Sequence, residues 1–171
     1  MSTPLTATTP YEAYKQERDR RPHYRRPGWF TRNVFNRLVK WLTRRGLSVW
    51  GSRVLEVPGR RTGLPRRVAV NLLDFGGQRY LVAPRGEAEW VRNVRAADGH
   101  LDLLRGRHHS HVVAVELSDD DKVEVLRAYL QRWKLEVGAF FDGVGPDADV
   151  SELRRIAPRH PAFVLHELNA A

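Results

Sequence analysis

Short runs of alternating apolar and polar residues, separated by glycine, proline and charged turns, dominate the middle of this chain. Such runs are typical of half-buried β-strands. Strands are predicted near residues 47–57, 66–74, 78–84, 100–105, 108–117 and 162–168. Helices are predicted in the connections, near residues 87–97, 118–137 and 151–156, and hairpin turns at residues 74–77 and 105–107. Many short antiparallel strands with helices between them favour an α+β fold built on a small barrel or sandwich.

The N-terminal part follows a different pattern. Residues 1–28 form a polar segment with a short helix predicted near residues 11–20, and a second helix is predicted from Trp29 to Arg45. The second helix carries tryptophans on an apolar stripe and five basic residues on its polar side, which is typical of helices on anionic membranes. Burial of the stripe in the protein's own core is the alternative. We therefore predict a flexible segment over residues 1–28 and one domain over residues 29–171.

Composition narrows the class of partner. The chain has 171 residues and a formal net charge of +9, which favours anionic partners such as nucleic acid, anionic lipid or a phosphorylated cofactor. It contains no cysteine, so disulfides, thiolate metal sites and a cysteine nucleophile are excluded. The first ten residues lack the apolar region of a secretory signal. We expect a cytoplasmic protein whose helix from Trp29 to Arg45 can contact the inner face of the membrane.

A basic loop lies between the first two predicted strands, at residues 58–67. Gly59 and Gly63 allow a tight turn and the approach of an anion to peptide N–H groups. The loop also carries guanidinium groups that can bind phosphate or carboxylate oxygens in a forked geometry, and these belong to Arg60, Arg61, Arg66 and Arg67. The sequence thus predicts an anion-binding loop, with a merely solvated basic turn as the alternative.

A second candidate segment spans residues 83–95, where a predicted strand ends, a Pro/Gly loop follows and a helix begins. Trp90 and Asn93 are three residues apart and share one face of that helix. An indole surface beside an amide suits a heteroaromatic ring with polar edges. The alternative is that Trp90 belongs to the core and that Asn93 caps or solvates the helix.

Three histidines lie together in the strand predicted near residues 108–117. Of these, His109 and His111 alternate along the strand and share a face, an arrangement that could hold part of a metal site. No spaced third ligand and no cysteine accompany them. We therefore predict exposed strand histidines and no metal site.

The order of these segments resembles the deazaflavin-dependent nitroreductase family. Residues 59–67 and 80–96 match best, and residues 127–133, 140–144 and 162–165 look like the family's later segments. The resemblance covers about residues 29–168. It implies a split β-barrel that binds the deazaflavin coenzyme F-420 in a groove, in preference to flavin mononucleotide.

The resemblance also implies roles for individual residues. The phosphate or polyglutamate tail of the coenzyme would be held by Arg60, Arg61, Thr62 and Arg66, around Gly63. The edge of the deazaflavin ring would lie along Val68, Val70 and Asn71. The other side would be formed by Ala83, Pro84, Arg85 and Gly86, and Trp90 and Asn93 would close the pocket. The second loop is shorter than in the nitroreductases, and Glu87 and Glu89 bring negative charge near an anionic tail.

The implied reaction is hydride transfer between reduced coenzyme F-420 and a small lipophilic acceptor, such as a quinone, nitro compound or enone. Tyr129 is the candidate proton donor, with Tyr24 as a second. The helix from Trp29 to Arg45 is expected to border the acceptor site, and the protein to be a monomer or homodimer. The alternatives are a binding module for nucleic acid or another anion, or a relative on the same barrel that binds flavin mononucleotide or haem. The chain lacks the motifs of the common nucleic-acid-binding folds.

Overall fold

A computed structural model describes residues 52–105 and 108–168. Six strands are present: β1 (Ser52–Pro58), β2 (Pro65–Phe75), β3 (Gln78–Val82), β4 (His100–Arg105), β5 (His108–Glu116) and β6 (Ala162–Glu167). Three helices lie in the connections: α1 (Glu89–Ala96), α2 (Lys122–Val137) and α3 (Val150–Ile156). Short 3₁₀ turns follow α2 at Gly138–Phe140 and α3 at Ala157–Arg159. The division at residue 28, the helices predicted at residues 11–20 and 29–45, and Tyr24 lie outside the described residues.

The six strands form a closed antiparallel barrel in the order β1-β2-β3-β6-β5-β4. Short turns join the pairs β1–β2, β2–β3 and β4–β5, whereas β5 pairs with β6 across the segment that contains α2 and α3. Closure depends on two further long-range pairings. Three residues of β1, Val54 to Glu56, pair with Leu104 to Asp102 of β4, and β3 pairs with β6 at the other side. The predicted α+β split-barrel class is confirmed.

The barrel interior is filled by alternate residues of the strands, because successive side chains of a strand point to opposite faces. On β2 these are Val68, Val70 and Leu72. They contribute to the interior apolar cluster that also contains Ala83 and Phe163. Helix α1 adds Val91 and Val94 to this cluster, and both are fully buried. The helix therefore rests on the barrel core through one face and presents its opposite face to the loops nearby.

A second apolar cluster lies on the outside of the barrel, between the strands and helices α2 and α3. Leu73 and Val82 face outward into it, and Leu126 and Ile156 cover them from the two helices. The α2 backbone departs from helical geometry at Trp133 (φ −127°, ψ 23°). Within the described ranges, no helix has both the length and the apolar character needed to cross a membrane.

Two glycine positions fix the turns around the barrel. The β2–β3 turn contains only Gly76 and Gly77, since Phe75 pairs with Gln78, and both glycines have positive φ, at 56° and 75°. This is the two-residue hairpin that the sequence predicts. Gly99, between α1 and β4, also has a positive φ of 80°. A Cβ at Gly99 would lie 2.3 Å from the backbone oxygen of Ala114, so that position excludes any side chain.

Replacement of Gly99 by alanine tests this packing. We expect Gly99→Ala to lower the free energy of unfolding by about 3 kcal/mol, because a left-handed backbone and a steric clash act together. Gly77→Ala is the matched control: its φ is also positive but no atom lies within 4 Å, so it should cost about 1 kcal/mol. Urea unfolding measures both values, and equal losses would contradict the close approach at Gly99.

Candidate functional site

The basic loop between β1 and β2 is a closed hairpin. The N–H of Gly59 donates to the carbonyl of Leu64 (2.8 Å), and the N–H of Gly63 donates to the carbonyl of Gly59 (2.7 Å). The hydroxyl of Thr62 accepts from the N–H of Leu64 at 3.3 Å. The N–H groups of Gly59 and Gly63 are therefore both used inside the loop. An anion that binds this hairpin would meet its side chains.

Arg60 joins this hairpin to helix α1. The Oδ1 of Asn93 accepts from the backbone N–H of Arg60 at 3.2 Å and from its Nη1 at 3.1 Å. Glu89 Oε2 accepts from the same Nη1 at 2.6 Å. This ion pair lowers the pKa of Glu89 below its usual value, chiefly through the hydrogen bond from Arg60. The structure thus places the two candidate segments of the sequence side by side.

The four arginines of the hairpin differ in their partners. Arg67 forms an ion pair with the buried carboxylate of Glu56, and Arg60 is held by Asn93 and Glu89. Arg61 and Arg66 are exposed, and neither forms an ion pair within residues 52–105 and 108–168. A Cβ at Gly59 would lie 3.2 Å from Arg66 Nε, so the bare glycine backbone lets Arg66 fold across the loop.

The second loop is braced at both ends. Its first residue, Ala83, donates its N–H to the carbonyl of Pro161 at 2.8 Å. Gly86 has a φ of 75°, and a Cβ there would lie 3.0 Å from the backbone oxygen of Arg159. Glu87 forms a two-bond ion pair with Arg95, at 2.7 and 2.9 Å. The negative charge of Glu87 is therefore balanced within the loop and helix, away from the hairpin.

Several of the remaining predicted residues lie on or beside the barrel interior. Val68, Val70 and Ala83 belong to the interior cluster or pack against it. Trp90 is half-buried, and its ring centre lies 5.7 Å from that of Phe163. Asn71 alternates with Val70 and so points to the opposite face of β2. The predicted ring edge formed by Val68, Val70 and Asn71 together is therefore not a single surface.

Two other predicted residues stand apart from the hairpin. Arg85 is exposed, and its guanidinium lies 4.8 Å from the ring centre of Phe140. Tyr129 is 2% exposed and belongs to the outer cluster. Its ring centre is 4.7 Å from that of Trp133 and 6.3 Å from that of Phe141. Because Tyr129 is buried among the aromatic rings of the outer cluster, we leave it out of the site proposed below.

Two histidines have environments that the sequence pattern did not indicate. His111 is mostly buried, and its Nδ1 lies 2.8 Å from Oδ1 of the buried Asp102. The prediction of exposed strand histidines is therefore wrong for His111, although His109 is exposed. The only signal in the sequence is an aspartate between two leucines on the neighbouring strand. In the described part of the chain, no three His, Asp or Glu side chains form a group that could hold a metal ion.

His160 lies beneath the second loop. It is 4% exposed and its ring stacks on Phe141, with ring centres 4.2 Å apart. Burial lowers its pKa below the usual value, although the backbone at Ala83 and Pro84 acts in the opposite direction. The imidazole is therefore buried in its neutral form and supports the segment from which the second loop begins.

Comparisons with known proteins identify the family of this chain. Residues 30–136 match the family model of the F420H2-dependent quinone reductases, a range that contains both loops and α1. A solved structure of a protein of unknown function from Agrobacterium tumefaciens has 14% identity and a TM-score of 0.50, covering 68% of this chain and 48% of its own. A structure named as an F420-H2 dependent reductase has 16% identity and a TM-score of 0.49. The match covers 68% of this chain and 95% of that protein's chain. At 14% identity the Agrobacterium structure bears on the fold alone. No curated protein matches the chain.

The buried imidazole of His160 predicts a pH-dependent stability. Because its folded pKa lies below its unfolded value of about 6.5, protonation favours the unfolded chain, and stability should fall as pH drops from 7 toward 5. His160→Gln should make the loss of stability between pH 7 and pH 5 smaller, whatever its effect at pH 7. Urea unfolding at several pH values provides the measurement. His109→Gln, at an exposed position, is the control, and an equal effect of both variants would contradict the argument.

Proposed function

The chain belongs to the F420H2-dependent quinone reductase family, and we propose that it transfers hydride from reduced coenzyme F-420 to a quinone or a similar lipophilic acceptor. It is an F-420-dependent oxidoreductase, as the resemblance in sequence implied. The observation that carries our assignment of the site is the junction at Asn93. There the hairpin with two exposed arginines meets the helix that carries Trp90.

The side chains at this junction fit an anionic coenzyme. Arg61 and Arg66 offer guanidinium groups on a hairpin whose shape is fixed by its own hydrogen bonds. Hydrogen bonds from charged groups contribute about 1.5–3 kcal/mol each, so two arginines suffice to anchor a phosphate or a tail carboxylate. Thr62 and Gly63 lie between them at the exposed tip of the loop. We therefore propose Arg61 and Arg66 as direct ligands and Arg60 as the residue that positions the loop.

The ring of the coenzyme requires an apolar surface beside these cations. Trp90 is half-buried against Phe163, and Val68 is half-buried on the adjoining strand. Together with the rigid second loop from Ala83 to Gly86, they can orient a planar ring and exclude water from one of its faces. Bound reduced coenzyme supplies the hydride, and a quinone that accepts this hydride and one proton becomes the quinol.

The family and the sequence both support a lipophilic acceptor. Quinone reduction is in the family's description, whereas nitro compounds and enones are alternatives with the same electrophilic character. We propose that the segment from Trp29 to Arg45 borders the acceptor site and attracts lipophilic molecules, with anionic lipid contact as a secondary property. The cytoplasmic location and the monomeric or homodimeric state stay predictions.

Coenzyme preference is the first test. In fluorescence titrations the purified protein should bind coenzyme F-420 with a lower dissociation constant than flavin mononucleotide. It should also reduce a soluble quinone when reduced coenzyme F-420 is supplied. Tighter binding of flavin mononucleotide would contradict the proposal and favour a flavin-binding relative. Binding of DNA that is tighter than binding of either coenzyme, with a steep dependence on salt, would favour the nucleic-acid alternative.

The double variant Arg61→Ala/Arg66→Ala tests the proposed ligands. Loss of two charge-assisted contacts should weaken coenzyme binding at least tenfold, and the dependence of affinity on salt should become shallower because fewer charges meet the coenzyme. Thermal unfolding should barely change, since both side chains are exposed. The control is Arg154→Ala/Arg155→Ala on α3, which removes the same charge at exposed positions. Equal affinities of the two variants would mean that the hairpin is only a turn.

A further inference from the structure

Glu89 is an acidic side chain placed directly against the basic hairpin. Its Oε2 lies 2.6 Å from Arg60 Nη1, and its Oε1 lies 3.3 Å from Arg92 Nη1. Its side chain is nevertheless 70% exposed. An exposed ion pair of this kind contributes little to stability. Stabilisation of the fold therefore does not account for the position of this carboxylate.

The hairpin does not depend on Glu89 for its position. Asn93, which is 5% exposed, accepts from both the backbone and the side chain of Arg60. These two bonds are enough to hold Arg60 against α1. Glu89 accepts from Nη1 of the same guanidinium at 2.6 Å and, over a longer distance of 3.5 Å, from Nη2.

The negative charge of Glu89 opposes the binding of an anion at the hairpin. Both glutamates are paired, Glu87 with Arg95 and Glu89 with Arg60 and Arg92, but of the two only Glu89 is paired with an arginine of the hairpin, where a bound anion would approach. It competes for that guanidinium and repels other negative charges over a short distance in water. Repulsion grows with the charge of the ligand, so an anion with several carboxylates is disfavoured more than one with a single phosphate.

We infer that Glu89 is a specificity-determining residue: it acts as an internal anion that restricts the hairpin to ligands of low charge. For a coenzyme of the proposed kind this means a preference for a short polyglutamate tail over a long one. The inference rests on the proposed function for the identity of the ligand. The ion pair itself, and its competition with any anion, follow from the geometry alone.

The test compares wild type, Glu89→Gln and Glu124→Gln. The last is the matched control, because Glu124 is also exposed and also paired with an arginine three residues away, Arg127, but on α2. Coenzyme F-420 with short and with long tails is titrated by fluorescence at low and high salt, and inorganic pyrophosphate is titrated by calorimetry. Glu89→Gln should bind each anion about threefold to tenfold more tightly at low salt. The gain should be larger for the longer tail and should shrink at high salt, whereas Glu124→Gln should match wild type.

The results separate this inference from the proposed function. Failure of every protein to bind the coenzyme would contradict the proposed function, and the pyrophosphate titration would then decide on Glu89 by itself. Unchanged or weaker anion binding by Glu89→Gln would overturn the inference, as would the absence of measurable pyrophosphate binding by that variant. Glu89→Asp keeps the charge and should behave like wild type. If it instead binds as tightly as Glu89→Gln, the effect does not come from charge and the inference fails.

Discussion

One buried amide oxygen, Oδ1 of Asn93, joins the basic hairpin to helix α1, and the proposed site depends on this junction. Helix α1 is fixed by the barrel core, because Val91 and Val94 are fully buried within it. Asn93 lies between them in the sequence. Its side-chain oxygen accepts hydrogen bonds from both the backbone N–H and the guanidinium of Arg60. The core therefore determines the position of the helix, and the helix determines the position of the hairpin. Loss of this acceptor would leave donors at the helix surface without a partner, which is costly where water is excluded.

Around this junction most arginines are engaged by carboxylates of the same chain. Four polar residues are successive neighbours across β2, β1, β4 and β5, namely Arg67, Glu56, Asp102 and His111. An ion pair joins Arg67 to Glu56, and a hydrogen bond joins His111 Nδ1 to Asp102. Arg95 is similarly held by Glu87 and Glu116. A net charge of +9 therefore does not translate into a uniformly cationic surface near the site. Such pairing favours a localised anion site over a broad electrostatic surface for nucleic acid.

The sequence predicts the elements better than it predicts which residues meet. Alternation of apolar residues located all six strands, and the glycine pair at Gly76–Gly77 indicated its hairpin, because both signals are local. The pair formed by Asp102 and His111 depends on the pairing of β4 with β5, and the burial of Tyr129 depends on how α2 packs outside the barrel. Neither relation is encoded in local spacing. The use of the Gly59 N–H inside the hairpin was missed for a different reason: glycine permits both a tight turn and an anion site, and only the hydrogen bonds distinguish them.

Closure of the barrel also decides where a coenzyme can bind. Interior residues such as Leu55, Leu81 and Leu101 are fully buried, and interiors of this kind are packed too densely to admit a ring system without rearrangement. In the proposed function a planar coenzyme would therefore lie outside that core, against half-buried side chains such as Trp90 and along the loops. Loops that are braced by hydrogen bonds and ion pairs can hold such a ligand with little loss of conformational entropy on binding. The internal bonds of the hairpin and of the second loop would thus favour binding at the barrel surface, and the charges that remain on the hairpin would select the ligand.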